Sequence, residues 1–161
     1  MSDRLSRDEY YMSLAFAAAA RANCTGRKVG AVLVKDDRVI ATGYNGTPAG
    51  MPNCLDGGCR RCADRLQFAS GTAYDLCICV HAEANAVLAA GRFGASTDRS
   101  VMYSTDQPCF ACAKELVQAG IAEVVYARAW QPDERVAADY GLLQERLHAR
   151  CLPVSVRIVV E

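Results

Sequence analysis

Neither sign of charge predominates in this chain, whose 161 residues carry 18 Lys and Arg against 18 Asp and Glu. Without a basic excess there is no broad field to gather nucleic acid by counterion release, so a small substrate is favoured over a polymer. Long apolar runs are missing too. Residues 1–10 are too polar for a secretory leader, and the Ala-rich stretch from Ala15 breaks at Arg21, far short of a membrane span. The expectation is a cytoplasmic protein with no membrane partner. No Gly-, Ser- or Pro-rich linker divides the sequence, and a 52% hydrophobic content is enough for a sizeable core. Residues 1–161 therefore read as one domain.

Cysteine, in contrast, is plentiful, with nine in the chain. Clustering as Cys-x2-Cys and Cys-x-Cys fits metal binding in a reducing compartment better than a disulfide framework, and an odd count leaves one thiol over.

The coarse pattern is α/β. Helical spacing from Tyr10 to Arg21, with Ser6 as N-cap and Glu9 three residues later, predicts an amphipathic helix. Strands at 31–34 and 38–43 flank the polar turn Lys35-Asp36-Asp37 and read as a hairpin. Residues 44–80 hold five glycines and five cysteines with little periodicity, so they read as a long loop that needs a staple. After it come a helix from Ala82 to Ala90, a strand at 101–105, a helix from Phe110 to Ala119 ended by Gly120, a strand at 123–127, a helix from Asp133 to His148, and a strand from Val154 to Val160. A hairpin followed by strand–helix alternation predicts a mixed sheet of about five strands with helices on both faces.

Two motifs carry chemistry in that frame. His81-Ala82-Glu83 and Pro108-Cys109-Phe110-Ala111-Cys112 together offer one imidazole and two thiolates, a ligand set that suits zinc, and a carboxylate beside the metal. His81 and Cys109 each fall where a helix begins, so the positive end of the dipole favours thiolate and oxyanion charge there. The i, i+3 spacing puts Cys109 and Cys112 on one face. Three protein ligands leave a fourth tetrahedral position for water, which distinguishes catalytic from structural zinc, and Glu83 is the base placed to serve it. A lone Cys-x2-Cys also occurs in structural zinc knuckles and redox sites; this ordered pair, each half at a helix start, is far less common. The other histidine, His148, reads as a surface residue.

H-x-E followed by P-C-x-x-C is the signature of zinc-dependent nucleobase deaminases. Neighbouring segments sharpen the likeness: Asn23-Cys24, Arg27 to Val32, Gly43 to Pro48, Gly58 to Cys62, Cys77 to Ala86 and Cys109 to Lys114. From about Leu14 to Trp130 the chain resembles deoxycytidylate deaminases. That resemblance implies a three-layer α/β/α cytidine deaminase-like fold, hydrolysis of dCMP to dUMP and ammonia in pyrimidine nucleotide metabolism, and homo-oligomers, often hexamers. It implies that Glu83 shuttles protons from water to the ring nitrogen and departing ammonia, and that Asn45 hydrogen-bonds the sugar. It also places Arg27 and Lys28 at the phosphate and Ala82 and Gln107 around the substrate, while Trp130, at the end of a strand beside the pocket, is read either as a base-stacking residue or as a core or subunit contact. Gly43, Tyr44 and Gly46 match the loop through which dCTP activates and dTTP inhibits. Asp106-Gln107 departs from the family pattern and leaves open a related or modified cytosine substrate. A tRNA adenosine deaminase is disfavoured by the absence of a basic surface. The alternative outside enzymes is a zinc-stapled module that binds nucleotides without catalysis.

Cys24, Cys54, Cys59, Cys62, Cys77 and Cys79 are more thiols than one tetrahedral ion uses, so at least one structural zinc is expected. Cys59, Cys62, Cys77 and Cys79 make a self-contained four-thiolate site ahead of His81. The resemblance points instead to Cys24 and Cys54 joined by a ligand near Cys79. Both partitions stand at this point, as does the plainer reading of buried apolar thiols. Cys151 stands apart.

Overall fold

Ser6 opens the first helix with a full capping box: its side chain accepts from the Glu9 N–H at 3.2 Å, and Glu9 accepts from the Ser6 N–H at 2.8 Å. The computed structural model describes residues 4–69 and 72–153. Helix α1 runs Arg7–Ala19, ending two residues before the expected Arg21. Strand β1 (Gly30–Lys35) and β2 (Arg38–Tyr44) form the expected hairpin. Its two-residue turn has Asp36 at φ 49° and Asp37 at φ 61°, the doubly left-handed turn whose twist matches that of the strands it joins.

The segment expected as an unpatterned loop is instead a chain of short helical turns at Cys54–Asp56, Arg60–Ala63 (α2), Arg65–Gln67 and Tyr74–Leu76. Its core is a cluster of cysteines, so the segment carries no apolar period to read. Next come α3 (Ala82–Arg92), β3 (Val101–Asp106), α4 (Phe110–Gln118) and β4 (Glu123–Arg128). Helix α5 spans Ala137–Arg146, four residues short of the expected start. Asp133 accepts from the Arg135 N–H at 2.9 Å, and this local side-chain bond holds the chain in a turn that competes with helix. His148 lies just past α5, exposed, at φ 43°. Strand β5 is only Arg150–Cys151; the strand expected at 154–160 lies outside the described residues.

Among the described residues five strands lie in the order β2-β1-β3-β4-β5. Strand β1 is antiparallel to both neighbours, and β3, β4 and β5 are parallel. Alternation divides the core into two faces. Val32, Val34, Tyr103 and Val125 meet Tyr11, Met12 and Ala15 of α1. Ala31, Leu33, Met102 and Val124 meet Ala82 and Ala86 of α3, Ala113 and Leu116 of α4 and Tyr140 of α5. This is the expected mixed sheet with helices on both faces.

Two glycines set how closely the helix layers approach. A Cβ on Gly30 would lie 2.0 Å from the Ala15 carbonyl oxygen, and one on Gly43 would lie 2.1 Å from that of Ala82. Because Gly43 meets helix backbone, Gly43→Ala must push α3 off β2. A loss at the upper end of overpacking costs, about 3 kcal/mol, is expected from urea unfolding. A change within about 0.5 kcal/mol would show that α3 yields there without cost.

At the opposite face Asp8 accepts from the Tyr103 hydroxyl at 2.8 Å and pairs with Arg150 at 2.8 Å, and Arg150 also pairs with Glu123. The Arg150 hydrogen bond, aided by Tyr103, holds the Asp8 carboxyl below the ordinary carboxylate range. A depressed folded pKa means the stabilisation is present above the unfolded value, about 3.9, and is lost as pH falls through the folded one. Asp8→Asn should cost about 1 kcal/mol at neutral pH and flatten the acid limb of the stability curve below pH ~4. An acid limb identical to that of the wild type would show that Asp8 is not the group responsible.

Candidate active site

His81 is the N-cap of α3 and Cys109 the N-cap of α4, so the two helices start side by side with their N–H-rich ends at one place. His81 Nδ1 lies 3.5 Å from Cys109 Sγ and 3.5 Å from Cys112 Sγ. Bonds of roughly 2.0 Å to nitrogen and 2.3 Å to sulfur, opened to the tetrahedral angle, separate N from S by about 3.5 Å. The three donors therefore fit one zinc ion, with Nδ1 as the imidazole ligand. The ligand-type group found there has these three members alone among the described residues.

Charge at the tripod is unevenly held. The Cys112 thiol donates to Cys109, which with His81 and the Cys112 N–H brings Cys109 down to about 4. Cys112 is pushed up by that same shared hydrogen bond and by burial. His81 is raised chiefly by its bond to Cys109. Cys109 and Cys112 would both bind a dication as thiolates.

Glu83 follows in the first turn of α3 with only 4% of its surface exposed. Burial pushes its carboxyl up to about 7, with Cys109 and Asp106 adding to the shift while its own N–H and His81 oppose it. A dry carboxyl that exchanges a proton near neutrality is the group a proton shuttle needs.

The expected substrate contacts surround this centre unequally. Asn45 is buried and ties the chain together: its Oδ1 accepts from the Val29 N–H at 2.8 Å and its Nδ2 donates to the Arg27 carbonyl at 2.7 Å. Those bonds carry the segment holding Arg27 and Lys28 to the site. Arg27 is 63% exposed and reaches Asp106 at 3.2 Å; Lys28 is exposed. Asp106, 8% exposed, also pairs with Arg128. Arg128 was not singled out in the sequence, although it pairs in register with Asp106 at the ends of neighbouring parallel strands, the one signal that could have found it.

Gln107 is half-buried and engaged. Its Oε1 accepts from the Trp130 N–H at 3.2 Å, and its carbonyl accepts from the indole N–H at 2.8 Å. The indole leans on Tyr140, 5.3 Å between ring centroids, whose hydroxyl donates to the Pro108 carbonyl. Trp130 thus braces the turn before Cys109. Ala82 is fully buried in the core between the ligand His81 and Glu83. Gly43 lies against α3, Tyr44 is partly exposed with its carbonyl accepting from Asn85 at 2.7 Å, and Gly46 bridges to Val80, the residue before His81. Tyr74, not anticipated, stands edge-on to His81 at 6.3 Å with Arg61 over its ring at 4.7 Å. It lies in the unpatterned segment, where no sequence signal marks it.

Farther back, six thiols gather in two sets of four, Cys24, Cys54, Cys62 and Cys79, and Cys59, Cys62, Cys77 and Cys79, each with its sulfurs within 4.8 Å of one another. All nine cysteines are free, and the exposed Cys151 stands apart in β5.

Comparison with known proteins agrees with this geometry. A model of the cytidine and deoxycytidylate deaminase zinc-binding region matches residues 5–128. A deoxycytidylate deaminase of Schizosaccharomyces pombe is 46% identical over 135 residues, 84% of this chain, which spans 41% of that protein's length. A deoxycytidylate deaminase of Mycobacterium phage D29 is 44% identical over 130 residues, covering 75% of this chain and 94% of the phage protein. The structure of a dCMP deaminase from the cyanophage S-TIM5, in complex with dCMP and dUMP, superimposes with a TM-score of 0.70 at 28% identity, over 94% of this chain and all of that one. The sheet and its helices are thus those of the cytidine deaminase-like fold. No helix of the described residues is long and apolar enough to cross a membrane. With most of its length under one family model, and the ligand tripod and buried glutamate inside that span, the chain belongs to the cytidine and deoxycytidylate deaminase zinc-binding family.

Proposed function

We propose that this chain hydrolyses dCMP to dUMP and ammonia as a zinc-dependent enzyme of pyrimidine nucleotide metabolism, working in the cytoplasm as one domain. The observation that carries the reading is Glu83, a buried carboxyl two residues along α3 from a three-donor tripod that fits zinc. The deoxycytidylate deaminase relatives and the dCMP-bound S-TIM5 structure narrow the base and the phosphate state.

A zinc ion held by His81, Cys109 and Cys112 supplies Lewis acidity and lowers the pKa of water. Glu83 accepts a proton from water as the new C–O bond forms at the amine-bearing ring carbon. It passes that proton to the ring nitrogen, then takes the second one from the hydroxyl now on the carbon and gives it to the amine, so that the C–N bond breaks as C=O forms and ammonia leaves. Its dry setting keeps the proton on the carboxyl or the substrate rather than in solvent. Asn45 faces the sugar. Arg27 and Arg128 against the single Asp106 leave one net positive charge at the rim, to which Lys28 adds, and that suits a 5′-phosphate. Gln107 and Trp130 complete the lining, and Ala82, its side chain in the core, offers the substrate backbone alone. At least one further structural zinc belongs to the six-thiol cluster.

Gly43, Tyr44 and Gly46 are the proposed effector loop for dCTP and dTTP. Its support is that this loop touches α3 directly, through Gly43 on the helix backbone and the Asn85 bond to Tyr44, so a nucleotide sensed there reaches Glu83. A homo-oligomer, as large as a hexamer, is part of the reading. Ultraviolet absorbance of purified protein with dCMP, dCTP, deoxycytidine and CMP tests it. Fast conversion of dCMP alone is expected; no conversion of any of them by zinc-loaded protein would overturn it and direct the search to modified bases.

A further inference from the structure

The six thiols outside the catalytic tripod make two overlapping groups of four with Cys62 and Cys79 in both. Two tetrahedral ions need eight metal–sulfur bonds. Six sulfurs supply eight when four bind one ion each and two bind both, which is the division the geometry draws. The separations agree: Cys24 Sγ to Cys62 Sγ is 3.9 Å, and Cys59 Sγ to Cys77 Sγ is 3.7 Å. The edge of a tetrahedron with Zn–S bonds of roughly 2.3 Å is about 3.8 Å, whereas a disulfide would need about 2.05 Å.

Two further observations point to metal rather than packed thiols. The buried cluster consists of Cys24, Cys54, Cys59, Cys62 and Cys79, with Cys77 against it, and contains no aliphatic side chain. An apolar core has no reason to be built of sulfur alone. In addition, each sulfur that belongs to only one set has a backbone N–H aimed at it. Gly26 donates to Cys24 at 3.3 Å and Thr25 to Cys54 at 3.4 Å, while the amides of Cys62 and Ile78 face Cys59 and that of Cys79 faces Cys77. Such donors offset the charge of a thiolate bound to one ion. A single zinc would leave either Cys24 and Cys54 or Cys59 and Cys77 unligated among thiolates.

We infer that the cluster is binuclear, with Cys62 and Cys79 bridging two zinc ions, Cys24 and Cys54 completing one tetrahedron and Cys59 and Cys77 the other. This rests on the structural metal proposed above and deepens it. Six thiolates and two dications leave a net charge of −2. The cluster ties the segment after α1, the turns of 54–63 and the strand-like approach to His81 into one knot, so the second ion reinforces the path to the catalytic tripod.

Native mass spectrometry of the intact wild-type chain, with zinc X-ray absorption on the same sample, decides it. The expected result is three zinc ions per chain and a metal–metal vector of roughly 3 Å, shorter than two Zn–S bonds laid end to end. Two ions and no such vector would overturn the binuclear cluster and leave a single structural zinc. One ion would overturn both readings, and three ions without the vector would overturn the bridges. The double variant Cys59→Ser/Cys77→Ser removes the terminal ligands of one ion only, so the count should fall from three to two while the other set keeps its zinc. If that variant does not fold, the wild-type count and vector still decide.

Discussion

Glu83→Gln will lower kcat/KM for dCMP by about 10³-fold or more while the catalytic zinc stays bound. The substitution keeps volume and shape in a site with almost no exposed surface, so the tripod of His81, Cys109 and Cys112 is undisturbed. What disappears is the proton acceptor, and with it the return of protons to the ring nitrogen and the leaving amine. Stability should move the other way. A carboxyl whose burial pushes it up to about 7 resists the dry interior, and a neutral amide relieves that cost, so the variant should melt no lower than the wild type. Steady-state kinetics, zinc content and thermal melting on one preparation check all three. More than a tenth of wild-type activity would remove Glu83 from the mechanism. Loss of zinc along with activity would make it a support for the metal site rather than the shuttle.

The second large effect concerns the six-thiol cluster. Stripping its metal with a chelator under reducing conditions should unfold residues 45–80 and lower the melting temperature by about 15 °C or more. Binding energy at structural zinc sites, roughly 10–16 kcal/mol in zinc-finger peptides, rivals the whole stability of a domain. At this chain length each kcal/mol shifts the midpoint by roughly 2–4 °C. The segment has little else to hold it, since its helical turns are three or four residues long and its core is cysteine. The loss should spread to catalysis: Gly46 bonds both ways with Val80, at 3.2 and 2.8 Å, and Val80 precedes His81. Hydrogen exchange should show protection lost at Gly46 and Val80 and regained when zinc is returned. Unchanged exchange in metal-free protein would mean that packed thiols alone hold the segment.

The elements anticipated from the sequence are those with a period or a cap. Ser6 and Glu9 mark α1, the apolar runs in 31–34, 101–105 and 123–127 mark the three central strands, and Gly120 closes α4. Where a local competitor intervened, boundaries moved, as at Asp133. A two-residue strand such as Arg150–Cys151 is too short to leave a pattern.

His81, Glu83, Cys109 and Cys112 were legible because the geometry that matters within each motif is local. Spacings of two and three residues at a helix start already bring the side chains to one face and fix their relation to the dipole. Tertiary structure alone decided the rest. The bond from Arg27 to Asp106 spans 79 residues, and Cys24 meets Cys62 across 38. Spacing alone groups Cys59, Cys62, Cys77 and Cys79, but that Cys62 and Cys79 also lie with Cys24 and Cys54 depends on how three separate segments cross. The same holds for the way Asn45 clasps the backbone of Val29 and Arg27, 16 and 18 residues back in the chain. Short-range order is written in residue type and interval; the meeting of distant segments is set by the packing of the whole sheet and its helices.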